Sequence, residues 1–220
     1  MIVRCFQNKT KIIFILIIVS ATYTYAQHST YWNQKARMYS ILPNESNEII
    51  FLGDSITDRC EWFELFSNPN VRNRGLSGDK TSGVLDRLSE ITESKPSKVF
   101  IMIGVNDLRH DVSDSTIKVN YSNIIEKIKS DSPDTKIILQ SVLPVNNNIG
   151  DSKTTNRKVN SFNNYIKTLA VNLSIPYVDI NTELLNSSGQ LDAQYSEDGL
   201  HINGAAYLVW KSVIEDFFNN

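Results

Sequence analysis

Five short strand candidates, mostly apolar and nearly without polar alternation, constrain this 220-residue chain more than any other feature. The clearest is Val99-Phe100-Ile101-Met102-Ile103. A strand with one wet face shows a period of two; a strand apolar at every position must be covered on both faces. Strands are expected over residues 48–53, 70–73, 98–104, 136–142 and 177–180. Helical stretches are expected between and after them, over residues 61–66, 81–92, 115–130, 154–173 and 203–218. Ile117, Tyr121, Ile124, Ile125 and Ile128 recur on one helix face, as do Val159, Phe162, Tyr165, Ile166 and Leu169. Both stripes read as faces turned to a core. Alternation of β and α then predicts a doubly wound three-layer α/β/α sandwich of about five parallel strands. Residues 31–42 are expected to form a helix or arm packed on this domain, and 146–154 a loop after the fourth strand.

The first residues differ in character. Arg4, Lys9 and Lys11 precede the apolar run from Ile12 to Val19, and small or polar residues follow up to Ala26. A transmembrane helix needs roughly 20 apolar residues, and this run is shorter. The layout predicts a signal peptide over residues 1–26, cut after Ala26, with the domain over 27–220 and export to the periplasm or medium; an uncleaved anchor is the alternative. Cleavage would leave 19 basic against 24 acidic residues, or −5. Such a surface has no electrostatic reason to bind nucleic acid or anionic lipid. Only Cys60 would remain of the two cysteines, so neither an internal disulfide nor a multi-cysteine metal site is expected.

In open α/β sheets the working groups gather at the carboxyl ends of the strands. Ser55 follows the first strand there, in Gly53-Asp54-Ser55-Ile56. A serine hydroxyl needs a base to take its proton, and histidine suits neutral pH. The candidates beyond residue 26 are His28, His110 and His201. His28 lies beside the expected cut and is expected to be mobile. His110 follows Asn106-Asp107-Leu108-Arg109 and reads as a loop residue able to approach the site. His201 has Asp198 three positions earlier, a spacing that lets a carboxylate reach the ring Nδ1–H on a turn. A plain surface turn is the alternative. An oxyanion needs donors; the N–H groups of Ser55 and Gly75 and the Asn106 amide are candidates. Gly75 and Gly78 could equally just shape a turn in Gly75-Leu76-Ser77-Gly78-Asp79.

Gly53-Asp54-Ser55, Gly75, Gly104-Val105-Asn106-Asp107 and Asp198-Gly199-Leu200-His201 resemble the four blocks of the SGNH (GDSL) hydrolases, in the same order. The resemblance spans residues 48–218 and departs from the motif's name only at Ile56, where leucine is usual. It implies a flavodoxin-like domain and a serine esterase without metal or cofactor. Ser55 would be the nucleophile, His201 the base, Asp198 its orienting acid, and Ser55, Gly75 and Asn106 the oxyanion hole. Phe51–Asp58 and Asn73–Asp79 look most like secreted acylhydrolases related to platelet-activating-factor acetylhydrolase, some of which deacetylate sugars, sialic acids included.

No insertion is long enough for a lid or deep acyl tunnel, which favours a small acyl group on a large alcohol. The expected substrate is an acylated small molecule or glycan. A lysophospholipase or thioesterase with the same residues is the alternative, and a noncatalytic glycan-binding module a third. Asp54 is a candidate substrate-binding residue. Trp62 could flank a sugar ring or be a packing residue. Arg59, Arg74 and Arg109 could meet a sugar carboxylate or be solvated charges.

Overall fold

A computed structural model describes residues 28–219. The expected signal peptide and its cleavage site lie outside the described residues.

The five strands are β1 (Ile49–Gly53), β2 (Val71–Gly75), β3 (Lys98–Met102), β4 (Lys136–Gln140) and β5 (Tyr177–Val178). They form one parallel sheet in the order β2-β1-β3-β4-β5. Every residue of β1 and β3 is buried, as their unbroken apolar character demands. The helices are α1 (Thr30–Tyr39), α2 (Ser55–Asp58), α3 (Trp62–Phe66), α4 (Thr81–Asp86), α5 (Leu88–Thr92), α6 (Val105–Arg109), α7 (Asp114–Asp131), α8 (Asn156–Leu173) and α9 (Gly204–Asn219). The order is that of a flavodoxin-like sandwich. Its switch point lies between β1 and β3, where connections leave in opposite directions and open a crevice.

The stripe read on α7 is its buried face, residue for residue, and Ser113 Oγ caps the helix by accepting from Thr116 N–H. On α8, Tyr165 and Leu169 are only half-buried, while Asn163 is buried. Asn163 accepts from Val142 N–H and donates to Val142 C=O, both at 2.8 Å. That pair explains why β4 stops at Gln140 rather than at Val142. Likewise Ser141 Oγ accepts the N–H groups of Ile180 and Asn181, so β5 ends at Val178 instead of Ile180. Side chains take over the ladder where the edge strand ends.

The single helix expected over 81–92 is two, α4 and α5, broken at Arg87. The Arg87 side chain is buried beneath the sheet edge. Its guanidinium donates to Asp79 Oδ2 at 2.9 Å, Arg74 C=O at 2.9 Å and Glu90 Oε1 at 3.2 Å. A continuous helix would not satisfy so many groups from one buried charge. The expected arm is α1, capped by Ser29 and shorter than 31–42.

Trp62 corrects the sugar-flanking expectation. It is 1% exposed, stacks on Phe51 at 3.9 Å, and donates its ring N–H to Thr57 C=O. Phe51 stacks in turn on Phe100 at 4.9 Å, so Trp62 is a core residue linking α3 to the sheet. Arg74 corrects a second expectation. It is 4% exposed, pairs with Glu90 at 3.2 Å, and lies over the Tyr39 ring. Its charge is spent inside the fold, away from any substrate.

Candidate active site

Ser55 opens α2 directly after β1. Asp54 caps that helix, its Oδ1 accepting from Ile56 N–H at 3.0 Å. As the first residue of a helix, Ser55 has a backbone N–H without an intrahelical acceptor. Its Oγ lies 3.0 Å from His201 Nε2, and His201 Nδ1 lies 2.6 Å from Asp198 Oδ2. Asp198 Oδ1 accepts the N–H groups of Leu200 and His201. The turn therefore holds its own carboxylate. Ser196 braces the same turn, donating to His201 C=O and accepting from Gly199 N–H. Tyr207 on α9 donates to Ile56 C=O at 2.6 Å, tying the helix behind His201 to the helix that carries Ser55. Three residues spread over 146 positions of sequence are thus held in line by local caps and one inter-helix bond.

Partial burial works to raise the Asp198 carboxyl, but the His201 ring and two backbone N–H groups outweigh it and hold the acid at about 2. A carboxylate ionised over the whole working range accepts the ring Nδ1–H and leaves Nε2 facing Ser55 as the proton acceptor. Asp54 is different. Complete burial, with the charges of Asp79 and Asp107 adding to it, pushes its carboxyl up to about 7 against the pull of Ile56 N–H. Asp54 is 1% exposed and caps a helix, so it supports Ser55 from behind and does not reach a substrate.

Asn106, on α6 after β3, donates one amide hydrogen to Asp79 C=O at 2.9 Å. Its side-chain oxygen accepts from Arg109 at 3.2 Å. Arg109 also donates to Ser152 C=O at 2.8 Å, so it orients Asn106 and its guanidinium is already engaged. His110 does approach the site: its Nδ1 lies 2.7 Å from Asn106 C=O and its outer edge is exposed. Arg59 is exposed beside α2. His28 corrects the expectation of a mobile residue: it stacks on Trp32 at 3.6 Å and pairs with Asp86 at 2.8 Å.

Gly75 is corrected as a donor. Its N–H already reaches Asn73 Oδ1 at 2.8 Å, and its C=O accepts from Tyr39 at 2.6 Å. A Cβ there would lie 2.1 Å from Asp58 N, so residue 75 is glycine to let α2 pack on β2. Gly78, further along the same loop, has φ +82°, is exposed, and donates its N–H to nothing among the described residues. The sequence signal was present in Ser77-Gly78-Asp79, whose glycine precedes the buried Asp79 that receives Asn106. Asp107 is a second unforeseen support: its carboxylate accepts the N–H and hydroxyl of Thr81 and so caps α4 from another element.

Two concavities lie near these elements, and neither is lined by Ser55 or His201 themselves. One, of about 560 Å³, is bordered by Arg59, Glu61, Ile202, Asn203 and Tyr207. The other, of about 330 Å³, is bordered by Gly78, Lys80, Trp32, Ser82 and His110. A larger one of about 670 Å³ involves Lys136 and Ile137, at the amino end of β4 and so at the opposite edge of the sheet. Among the described residues no group of three His, Cys, Asp or Glu is placed to hold a metal ion, and no helix is long and apolar enough to cross a membrane.

Comparison with known proteins agrees with this layout. A profile of the GDSL-like Lipase/Acylhydrolase family matches residues 51–209. The platelet-activating factor acetylhydrolase IB subunit alpha2 of Rattus norvegicus is 28% identical over 166 residues, 73% of this chain and 71% of that protein. A Streptococcus pneumonia structure whose description refers to platelet activating factor has a TM-score of 0.78 and 28% identity, over 85% of this chain and 92% of that one. A GDSL-like lipase of Bacteroides thetaiotaomicron shares the fold with a TM-score of 0.72 and 24% identity, over 86% of this chain and 97% of that one. A five-stranded parallel sheet that carries a serine at the end of its first strand, and a family profile matched from β1 into α9, mark this chain as a member of the GDSL-like lipase/acylhydrolase family, hydrolases that act on esters.

Proposed function

We propose that this chain is a serine esterase that removes small acyl groups, foremost acetyl, from a hydroxyl-rich alcohol such as an O-acetylated carbohydrate or sialate. One observation carries the reading: Ser55 Oγ, His201 Nε2, His201 Nδ1 and Asp198 Oδ2 stand in a line at 3.0 and 2.6 Å. Ser55 Oγ attacks the ester carbonyl while Nε2 takes its proton. The tetrahedral oxyanion meets the N–H groups of Ser55 and Gly78 and the second amide hydrogen of Asn106. The C–O bond to the alcohol then breaks, and Nε2 returns its proton to the departing oxygen. Water repeats the steps on the acyl-enzyme, releasing the acid and restoring Ser55.

The name of the rat relative supports acetyl as the acyl group, and the Ser77, Asp79, Lys80, Ser82 and His110 border of the smaller concavity supports an alcohol rich in hydroxyls. Of the arginines considered for a sugar carboxylate, Arg59 remains exposed at the rim of one concavity, with Lys80 bordering the other. Export through residues 1–26 belongs to the same proposal, since glycan esters lie outside the cytoplasm; an intact mass beginning at Gln27 is the expected result.

The test is acetate release from acetylated sialic acid, xylan and pectin fragments by the wild type and Ser55→Ala. Release by the wild type alone is expected; equal release by both would end the assignment of Ser55. Chain-length profiling with nitrophenyl esters separates the lysophospholipase reading, which requires a preference for eight carbons or more.

A further inference from the structure

We propose that Trp32, on a helix outside the α/β layers, is a positioning residue of the oxyanion hole that acts through Asp79 on Asn106. The inference rests on the proposed role of Asn106 as a donor.

The connection is a chain of two hydrogen bonds. Trp32 Nε1–H donates to Asp79 Oδ1 at 2.9 Å, and Asn106 Nδ2 donates to Asp79 C=O at 2.9 Å. Asp79 therefore receives the N-terminal helix through its side chain and the putting-in-place of Asn106 through its backbone. The other Asp79 oxygen takes Arg87, which spans to Arg74 C=O at the end of β2. With one amide hydrogen held by Asp79 C=O and the oxygen held by Arg109, the second amide hydrogen of Asn106 has one direction left.

Residue 83 gives independent support. Glycine is disfavoured inside a helix, yet Gly83 sits within α4. A Cβ there would lie 2.0 Å from Asp79 Oδ1 and 3.1 Å from Trp32 Nε1. The glycine clears space at the point where tryptophan meets aspartate. The ring is held from its other side as well, since His28 stacks on it and pairs with Asp86 of the same helix α4. A helix that served only to cover the sheet would need neither a tryptophan donor nor a glycine opposite it.

The experiment uses the full chain and 4-nitrophenyl acetate. Trp32→Phe keeps the ring and loses the donor. It should lower kcat about 10- to 100-fold, as expected when a catalytic donor is displaced rather than removed, with KM changed less than about twofold. Gly83→Ala should lower kcat in the same way by pushing Asp79 aside. In an Asn106→Ala background, Trp32→Phe should have no further effect on kcat, because the route through Asn106 is already gone. Tyr165→Phe, which removes the two hydrogen bonds of its hydroxyl to Lys118 C=O and Ser122 Oγ of α7, should lower the unfolding midpoint and leave kcat alone. Full kcat in Trp32→Phe, or losses that simply multiply in the double variant, would overturn the proposal while leaving the esterase reading intact. Hydrolysis that survives Ser55→Ala would overturn both.

Discussion

At the scale of single residues, the alignment of Ser55, His201 and Asp198 makes Asp198→Asn the sharpest substitution. The amide keeps the shape of the side chain but presents a donor to Nδ1, favouring the wrong tautomer. A loss of about 10³–10⁴ in kcat is expected with little change in KM, read by steady-state kinetics on an acetyl ester; a loss below tenfold would contradict the proposed role. These three residues were legible because each sits in a short local frame. Asp54 and Asp198 cap their own turns two or three residues on, and such contacts are written into adjacent positions. Trp62 and Arg74 were not legible in that sense. Their fate depends on which way α3 and β2 face once packed, and nothing in the neighbouring residues records that. Trp62→Ala should therefore cost about 3–5 kcal/mol, as for a large core residue, with KM of the folded enzyme unchanged. Thermal or urea unfolding together with KM checks this; a raised KM without loss of stability would restore the sugar-flanking role.

At the scale of elements, the α7 stripe was readable because every buried position on it is apolar. On α8 the same pattern breaks at Asn163, a polar residue buried for its hydrogen bonds. Periodicity counts apolar positions, so it extended β4 and β5 past the points where Asn163, Asn181 and Ser141 replace strand pairing. Asn181 completes that substitution by donating to Val142 C=O at 2.9 Å. Asn163→Leu fits the volume but leaves Val142 N–H unpaired. The expected cost is about 1–3 kcal/mol, measured as a lower urea midpoint, and a neutral effect would show that water or another group takes over that end of β4. The break between α4 and α5 escaped for a related reason. Arg87 leaves helical geometry so that its buried guanidinium reaches Asp79, Glu90 and Arg74, contacts made between elements and invisible within one.

At the scale of the whole molecule, the 2-1-3-4-5 order brings the ends of β1, β2 and β3 together, and with them Asp54, Asp79 and Asp107. The topology that assembles the site thus also buries three carboxylates at one edge of the sheet. A doubly wound parallel sheet was legible from the alternation of elements, and so was the convergence of motifs at the carboxyl edge. The electrostatic consequence was not, because burial of these acids comes only from packing. It has a definite sign in Asp54, which is pushed up to about 7 in the folded chain against an ordinary value near 4 when unfolded. Between those values the folded state holds a proton that the unfolded state has released, so stability falls as pH rises across that window. The contribution is fully present below about pH 4 and lost above about pH 7, amounting to about 4 kcal/mol at most. Asn at this position keeps an oxygen for Ile56 N–H and carries no charge to bury. Asp54→Asn should therefore gain on the wild type as pH rises, with the gain levelling off above about pH 7. Urea midpoints of the two proteins at matched pH between 4 and 8 measure it directly. Taking the difference between them cancels the histidines and the acid-side contribution of Asp198, which runs the opposite way, being lost as pH falls from about 4 towards 2. A difference that stays constant from pH 4 to 8 would mean that Asp54 is ionised in the folded chain throughout, and that the crowding of carboxylates at this edge is relieved by some other group.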